Sequence, residues 1–75
     1  MKKYQVIITF DNNDYVQTYF NAESLEEIIT HYKGYRMEYY DGSDSGEAYG
    51  LDIRDYENNS RYTYTYETNK LTKLW

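Results

Sequence analysis

An alternating stretch at the start of the chain predicts a β-hairpin. Residues 3–10 alternate apolar and mainly polar side chains, which is the period of a half-buried strand. The predicted inward face carries Tyr4, Val6, Ile8 and Phe10. Residues 11–14 read Asp-Asn-Asn-Asp, and such side chains favour turns because they hydrogen-bond the local backbone. We therefore expect a second strand over residues 15–20, paired with the first.

The period changes from that of a strand to that of a helix near residue 24. The apolar stripe consists of Leu25, Ile28, Ile29 and Tyr32. Ser24 with Glu27 three residues later forms a capping box, and Gly34 is a typical stop signal. These signals predict one short helix over residues 24–33, which needs a sheet beneath it to be stable.

Alternation returns in the second half of the chain. Three further strands are predicted over residues 35–40, 51–56 and 61–68. Residues 41–50 are rich in glycine, serine and aspartate, so they are expected to form an exposed, mobile loop. Leu71, Leu74 and Trp75 make the last residues apolar enough to dock on the fold.

The order strand, strand, helix, strand, strand, strand predicts an α+β fold. Residues 1–75 form a single domain in this interpretation, an antiparallel sheet with the helix across one face. The other face would lack a cover and would expose an aromatic patch, as interfaces do. Its members would be Tyr40, Tyr56 and some of Tyr62, Tyr64 and Tyr66. Alternation alone leaves open whether the last three tyrosines face the core or an interface.

The composition restricts the cellular compartment and the kinds of site that the chain can hold. Twelve of the 75 residues are tyrosine, and there is no cysteine, which excludes disulfides and thiolate metal sites. No apolar run approaches the roughly 20 residues that cross a bilayer. We expect a cytoplasmic protein without a cofactor.

Thirteen acidic residues against eight basic ones favour a basic partner over direct contact with nucleic acid. Between residues 38 and 57 the excess of carboxylates is largest, and tyrosines lie among them. The predicted contact surface takes its charge from Asp41, Asp44, Glu47, Asp52, Asp55 and Glu57 and its anchors from Tyr39, Tyr40, Tyr49 and Tyr56. Ordinary solubilising charge is the alternative explanation for the same residues.

Three other kinds of site are weaker candidates. Residues 41–52 partly match a calcium-binding EF-hand loop, but strands are predicted where that motif has helices. His31 is the only histidine and lies off the apolar stripe, with no nucleophile in a recognisable motif, so no enzyme is predicted. Stacking of bases on Tyr62, Tyr64 and Tyr66 would lack accompanying positive charge.

The strand-strand-helix opening around residues 21–27, the small size, the acidity and the richness in asparagine and tyrosine resemble a known class. The chain is similar to the small acidic proteins with which bacteriophages and other mobile elements disable host defence enzymes, such as anti-CRISPR proteins and uracil-DNA glycosylase inhibitors. The resemblance implies a stoichiometric inhibitor that mimics DNA in the basic nucleic-acid site of a host enzyme. The alternative is an assembly module that forms a homodimer through its tyrosine-rich strands.

Overall fold

The computed structural model describes residues 1–75 and shows one antiparallel sheet with a single short helix. The elements are β1 Lys2–Phe10, β2 Tyr15–Ala22, α1 Leu25–Tyr32, β3 Arg36–Glu38, β4 Asp44–Asp55, β5 Ser60–Thr65 and β6 Lys70–Lys73. The strand order is β2-β1-β4-β5-β6, and β3 pairs with the first part of β4. The protein is mainly β, and the helix contributes one small layer.

The alternation in β1 separates the two faces of the sheet as predicted. Val6 lies between Thr18 and Ile53, and Ile8 lies between Val16 and Leu51, so their side chains share one face. The core on this face consists of Tyr4, Val6, Ile8, Phe10, Ala22, Ile28, Tyr32, Ala48, Leu51, Ile53 and Tyr64. We call this the covered face, because α1 packs against it.

The capping signals of α1 work as the sequence predicts, with one change. The Ser24 hydroxyl accepts a hydrogen bond from the Glu27 backbone N–H at 3.3 Å and so caps the helix. In the return bond, the Glu27 carboxylate accepts from the backbone N–H of Glu23, one residue before Ser24. Ile28 and Tyr32 are buried, which fixes the helix on the sheet.

Tyr62, Tyr64 and Tyr66 belong to the covered face. Tyr64 is 8% exposed, and Tyr62 and Tyr66 pack against the core. The Tyr66 hydroxyl donates to the Ile29 carbonyl at 2.6 Å, which ties the strand side of the fold to α1. Burial raises the pKa of the Tyr66 phenol well above its ordinary value. The expectation that some of these rings form an exposed patch is therefore wrong.

The prediction of a loop over residues 41–50 is also wrong in part. Residues from Asp44 onward form the first half of β4, and Ser45 and Ala48 point inward. Ser45 is fully buried because its hydroxyl accepts from the Met37 backbone N–H at 3.0 Å and donates to the Gly46 carbonyl at 2.9 Å. A small polar residue thus occupies an inward position that strand patterns assign to apolar residues.

The end of the chain forms a strand that the sequence did not predict. Strand β5 ends at Thr65, three residues before the predicted end, and Asn69 with φ of 54° completes the turn that follows. Leu71 then pairs with Tyr64 in β6. The tail is held by backbone pairing as a sixth strand, but the side chains of Leu71, Leu74 and Trp75, which were expected to dock, are exposed.

No helix covers the opposite face of the sheet. We call it the open face. Its side chains, placed by the strand register, are Lys3, Gln5, Ile7, Thr9, Tyr15, Gln17, Tyr19, Asn21, Asp52, Arg54, Arg61, Thr63, Thr65, Lys70 and Thr72. An uncovered face is what the sequence predicts. The tyrosines on its strands are Tyr15 and Tyr19, and the predicted Tyr56 lies beside Arg54 just after β4 and is exposed.

Candidate interaction surfaces

Two turns meet at one end of the molecule and bring carboxylates together. The backbone N–H of Asp11, in the β1–β2 turn, donates to the Glu47 carbonyl in β4 at 3.1 Å. Across the same junction the Tyr39 hydroxyl donates to the Asp14 carboxylate. We call this region the acidic end; its carboxylates are those of Asp11, Asp14, Glu38, Asp41, Asp44 and Glu47, and all six residues are exposed.

The acidic end carries the whole formal net charge of the chain. Its six carboxylates are accompanied by one guanidinium, that of Arg36, which leaves five negative charges, the same as the total. The rest of the chain contains seven acidic and seven basic residues, so its formal net charge is zero. An uncompensated charge at one end of an elongated molecule of 39 × 24 × 18 Å produces a directed field.

Hydrogen bonds hold the loop of the acidic end in place. The Asp41 carboxylate accepts from the Ser43 hydroxyl at 2.6 Å and from its backbone N–H at 3.0 Å. Both bonds favour the ionised carboxylate, the hydroxyl bond most, and so lower the pKa of Asp41. The Asp44 carboxylate accepts from the Gly46 backbone N–H at 2.8 Å and pairs with Arg36 at 3.1 Å.

The backbone conformation favours glycine at Gly46, where the two turns meet. Its φ of 82° lies in the left-handed region, which side chains other than glycine rarely adopt. A Cβ atom at this position would lie 2.0 Å from the Asp11 carboxylate. The positive φ therefore favours glycine at this position, and a side chain here would also displace the exposed Asp11 carboxylate.

The tyrosines of the acidic end differ in their solvent exposure and in their hydrogen bonds. Tyr40 is fully exposed, whereas Tyr39 is half-buried and bonded to Asp14. Tyr49 is 46% exposed, and its hydroxyl donates to the Glu67 carboxylate at 3.3 Å. A free ring among carboxylates offers contact area to a partner at little entropic cost. Tyr40 is thus the most accessible anchor of this surface.

Four of the ten predicted contact residues lie elsewhere. Asp55 is 3% exposed and accepts from the Lys2 ammonium at 3.0 Å and from Asn58, so it stabilises the fold. Asp52 lies on the open face in a two-bond pair with Arg61, at 3.0 and 2.5 Å. Glu57 and Tyr56 follow β4 at the end opposite to the acidic end. The prediction of one continuous acidic surface is wrong for these residues.

Sequence reasoning missed Asp11 and Asp14 as members of the acidic end. Both were assigned to the hairpin turn, which is correct, but their nearness to Glu47 depends on the pairing of β1 with β4. The excess of carboxylates in residues 11–14 was a signal that could have found them. Their distance along the chain from residues 38–47 concealed the connection.

No three His, Asp or Glu side chains are grouped so that they could hold a metal ion, and residues 44–52 are extended in β4 and do not wrap into an EF-hand loop. His31 is exposed, with its ring 4.5 Å from that of Phe20 and 4.7 Å from that of Tyr32. It lines a depression of about 500 Å³ with Ser24, whose hydroxyl caps the helix.

Comparisons with protein-family models, with curated proteins and with solved structures find no significant match. The single helix, α1, is not long and apolar enough to cross a membrane. Function must therefore be argued from the surfaces of this chain.

Proposed function

We propose that the protein is a stoichiometric inhibitor that docks its acidic end onto the basic nucleic-acid site of another protein. The observation that carries this proposal is the segregation of the whole net charge into one end of the fold. Carboxylates held at fixed positions stand in for phosphates, and their field accelerates encounter with a basic groove. Neither turnover nor a cofactor is part of this mechanism.

We assign the contact residues by the exposure of their side chains at the acidic end. Glu38, Asp41 and Glu47 supply charge without being buried in ion pairs, and Tyr40 supplies an anchor at the centre of the acidic loop. Desolvating a ring beside charged pairs is the pattern of interface hot spots. The likeness in size and charge to phage inhibitors of host defence enzymes agrees with this mode of action.

Charge reversal at Glu38 and Glu47 tests the proposal. Both side chains are exposed and lie outside the hydrogen bonds of Asp41 and Asp44 that shape the loop. The variant Glu38→Lys/Glu47→Lys should lose the nucleic-acid-handling protein that the wild-type chain retains from a bacterial lysate, identified by mass spectrometry. We expect this loss because two charges that repel a basic partner replace two that attract it.

The matched control reverses the same number of charges outside the acidic end. Glu26→Lys/Glu57→Lys changes the net charge equally, on α1 and beyond β4, and should retain the partner. Loss of the partner in both variants would show that only total charge matters. Retention in both would remove the acidic end from the mechanism.

An assembly role would have to use the open face or the edge strand β2. The rings of Tyr62, Tyr64 and Tyr66 are occupied by the core, whereas Tyr15 and Tyr19 are 71% and 54% exposed. Sedimentation of the wild type and of Tyr15→Ser/Tyr19→Ser distinguishes this role. A dimer lost in the variant would favour assembly over inhibition.

A further inference from the structure

Arg54 is an unpaired guanidinium placed between two aromatic rings on the open face. Its Cζ atom lies 5.0 Å from the Trp75 ring centre and 5.4 Å from the Tyr56 ring centre. It takes part in none of the four salt bridges of the structure. Both distances are within the range of cation–π contacts, and such contacts do not use up the N–H donors of a guanidinium. The Arg54 N–H donors are therefore not taken up by a carboxylate of the chain and are available to an anion.

The surroundings of Arg54 form a row across the sheet. Strand register places Tyr19, Gln5, Arg54 and Arg61 opposite one another on four adjacent strands. With neighbouring strands about 4.8 Å apart, this row extends over roughly 14 Å. The Tyr56 hydroxyl donates to the Gln5 side-chain carbonyl at 2.8 Å, which fixes the ring beside Arg54. A depression of about 200 Å³ lies along the row and is lined by Gln5, Ile7, Asp52, Arg54 and Arg61.

The open face has the opposite charge to the acidic end. Lys3, Arg54, Arg61 and Lys70 project from it, and Asp52 is its single carboxylate. Exposed rings accompany the cations: Lys3 lies over Tyr19 at 4.8 Å, and Tyr56 and Trp75 are 57% and 46% exposed. Cations spaced among exposed rings on a flat sheet suit a ligand with alternating phosphates and bases.

We propose that the open face binds single-stranded nucleic acid, with Arg54 receiving a phosphate and with bases stacking on Trp75, Tyr56 and Tyr19. A small anion would need Arg54 but would leave the other rings without a role. An acidic protein segment would use the cations, but its carboxylate side chains supply no rings to stack on the exposed aromatics. Duplex DNA hides the flat faces of its bases, so only a single strand uses both features.

Net charge does not exclude this binding, although it argues against it when the sequence is taken as a whole. The five negative charges lie at the acidic end, and the open face is locally positive. Screening over a Debye length of about 8 Å at physiological salt separates the two fields in a molecule 39 Å long. This proposal does not depend on the inhibitor function, because it uses different residues.

Fluorescence of Trp75, the single tryptophan of the chain, tests the proposal directly. Titration with an oligothymidylate at low salt should quench this emission to saturation. The binding constant should fall with salt, with a logarithmic slope of about −2 to −3 for three or four phosphate contacts. Arg54→Ala should weaken binding about tenfold, because it removes one phosphate contact and the cation that lies against the Tyr56 and Trp75 rings.

Controls separate the site from general charge. Lys73→Ala removes an equal charge from the other side of β6 and should change affinity less than about twofold, while Arg54→Lys should be intermediate. Anisotropy of a labelled oligonucleotide, with circular dichroism of each variant, gives a second measurement that does not need Trp75. Absence of binding, equal binding by Arg54→Ala, or equal quenching by duplex DNA or polyglutamate would overturn the proposal.

Discussion

The covered and open faces of the sheet both carry aromatic rings, but the rings pack in the core on one face and are exposed beside cations on the other. On the covered face, Tyr64 and Tyr66 place their rings in the core and donate their hydroxyls to Asn69 and to the Ile29 carbonyl. On the open face, Tyr19 and Tyr56 lie beside Lys3 and Arg54 and are more than half exposed. The partner of the ring, apolar or cationic, separates a structural tyrosine from an available one.

This difference shows how a small chain with few leucines can fold and still offer binding surface. Phenol rings supply core volume where a backbone carbonyl or an amide accepts their hydroxyl. The same residue type remains at the surface where strand alternation turns it outward. Tyrosine content alone therefore says nothing about function until the faces are known.

The two faces should differ most in how much a substitution lowers the free energy of unfolding at two neighbouring isoleucines of β1. Ile8 is fully buried on the covered face, and Ile7 is half-buried on the open face. Ile8→Ala should cost about 2–5 kcal/mol of unfolding free energy, and Ile7→Ala about 1 kcal/mol or less. Urea unfolding measures both, and equal losses would mean that the open face is packed against something in solution.

A smaller difference is expected between two aspartates of β4. Asp55→Ala on the covered side removes the acceptor of Lys2 and Asn58 and should cost about 1–3 kcal/mol. Asp52→Ala on the open face removes a partly exposed pair with Arg61 and should cost about 0–1 kcal/mol. Denaturant unfolding of the two variants at neutral pH checks the order. The reverse order would contradict the assignment of Asp55 to the fold.

The Asp55 contribution should also depend on pH. Burial alone would raise the pKa of Asp55, but hydrogen bonds from Lys2 and Asn58 outweigh it and lower the pKa below its ordinary value. A carboxylate with a lowered pKa in the folded state stabilises fully above its unfolded pKa of about 3.9, and this stabilisation is lost as the pH falls further. The gap in stability between the wild type and Asp55→Ala should close in acid. A gap that widens there would contradict this account.

The smallest expected effect is at the phenol hydroxyls. Tyr66→Phe removes the bond to the Ile29 carbonyl and should cost about 0.5–1.5 kcal/mol, whereas Tyr19→Phe should change stability by less than about 0.5 kcal/mol. Because the pKa of Tyr66 is raised in the fold, wild-type stability should also fall as pH rises above about 10. Thermal unfolding of both variants across that range gives the measurement, and equal effects at the two sites would remove the distinction between the faces.

Much of the local structure could be predicted from the sequence because short-range signals set it. Alternation in residues 3–10 and the Ser24 cap fix β1 and α1 without reference to the rest of the fold. The first half of β4 could not be predicted, since Ser45 is polar yet points inward, where its hydroxyl accepts a hydrogen bond from the Met37 backbone N–H of β3. Strand β6 depends on pairing with β5, which no local signal in Lys70–Lys73 indicates.

The candidate surfaces were harder to predict because they depend on register. Asp52, Asp55 and Glu57 follow the acidic loop in the chain, yet a 12-residue strand carries them away from it. Asp11 and Asp14 are distant in the sequence and return to it through the β1–β4 pairing. The place of Arg54 beside Tyr56 and Trp75 appears only when β4 and the end of the chain are assembled.

Displacement of nucleic acid from the captured partner tests the central claim most directly. The measurement follows release of a labelled duplex oligonucleotide from that protein, using chains that carry Arg54→Ala so that the open face does not contribute. The acidic end should displace the duplex at stoichiometric concentration, and adding Glu38→Lys/Glu47→Lys should abolish displacement. Equal displacement by both chains, or a complex that holds the duplex and the chain together, would contradict the account.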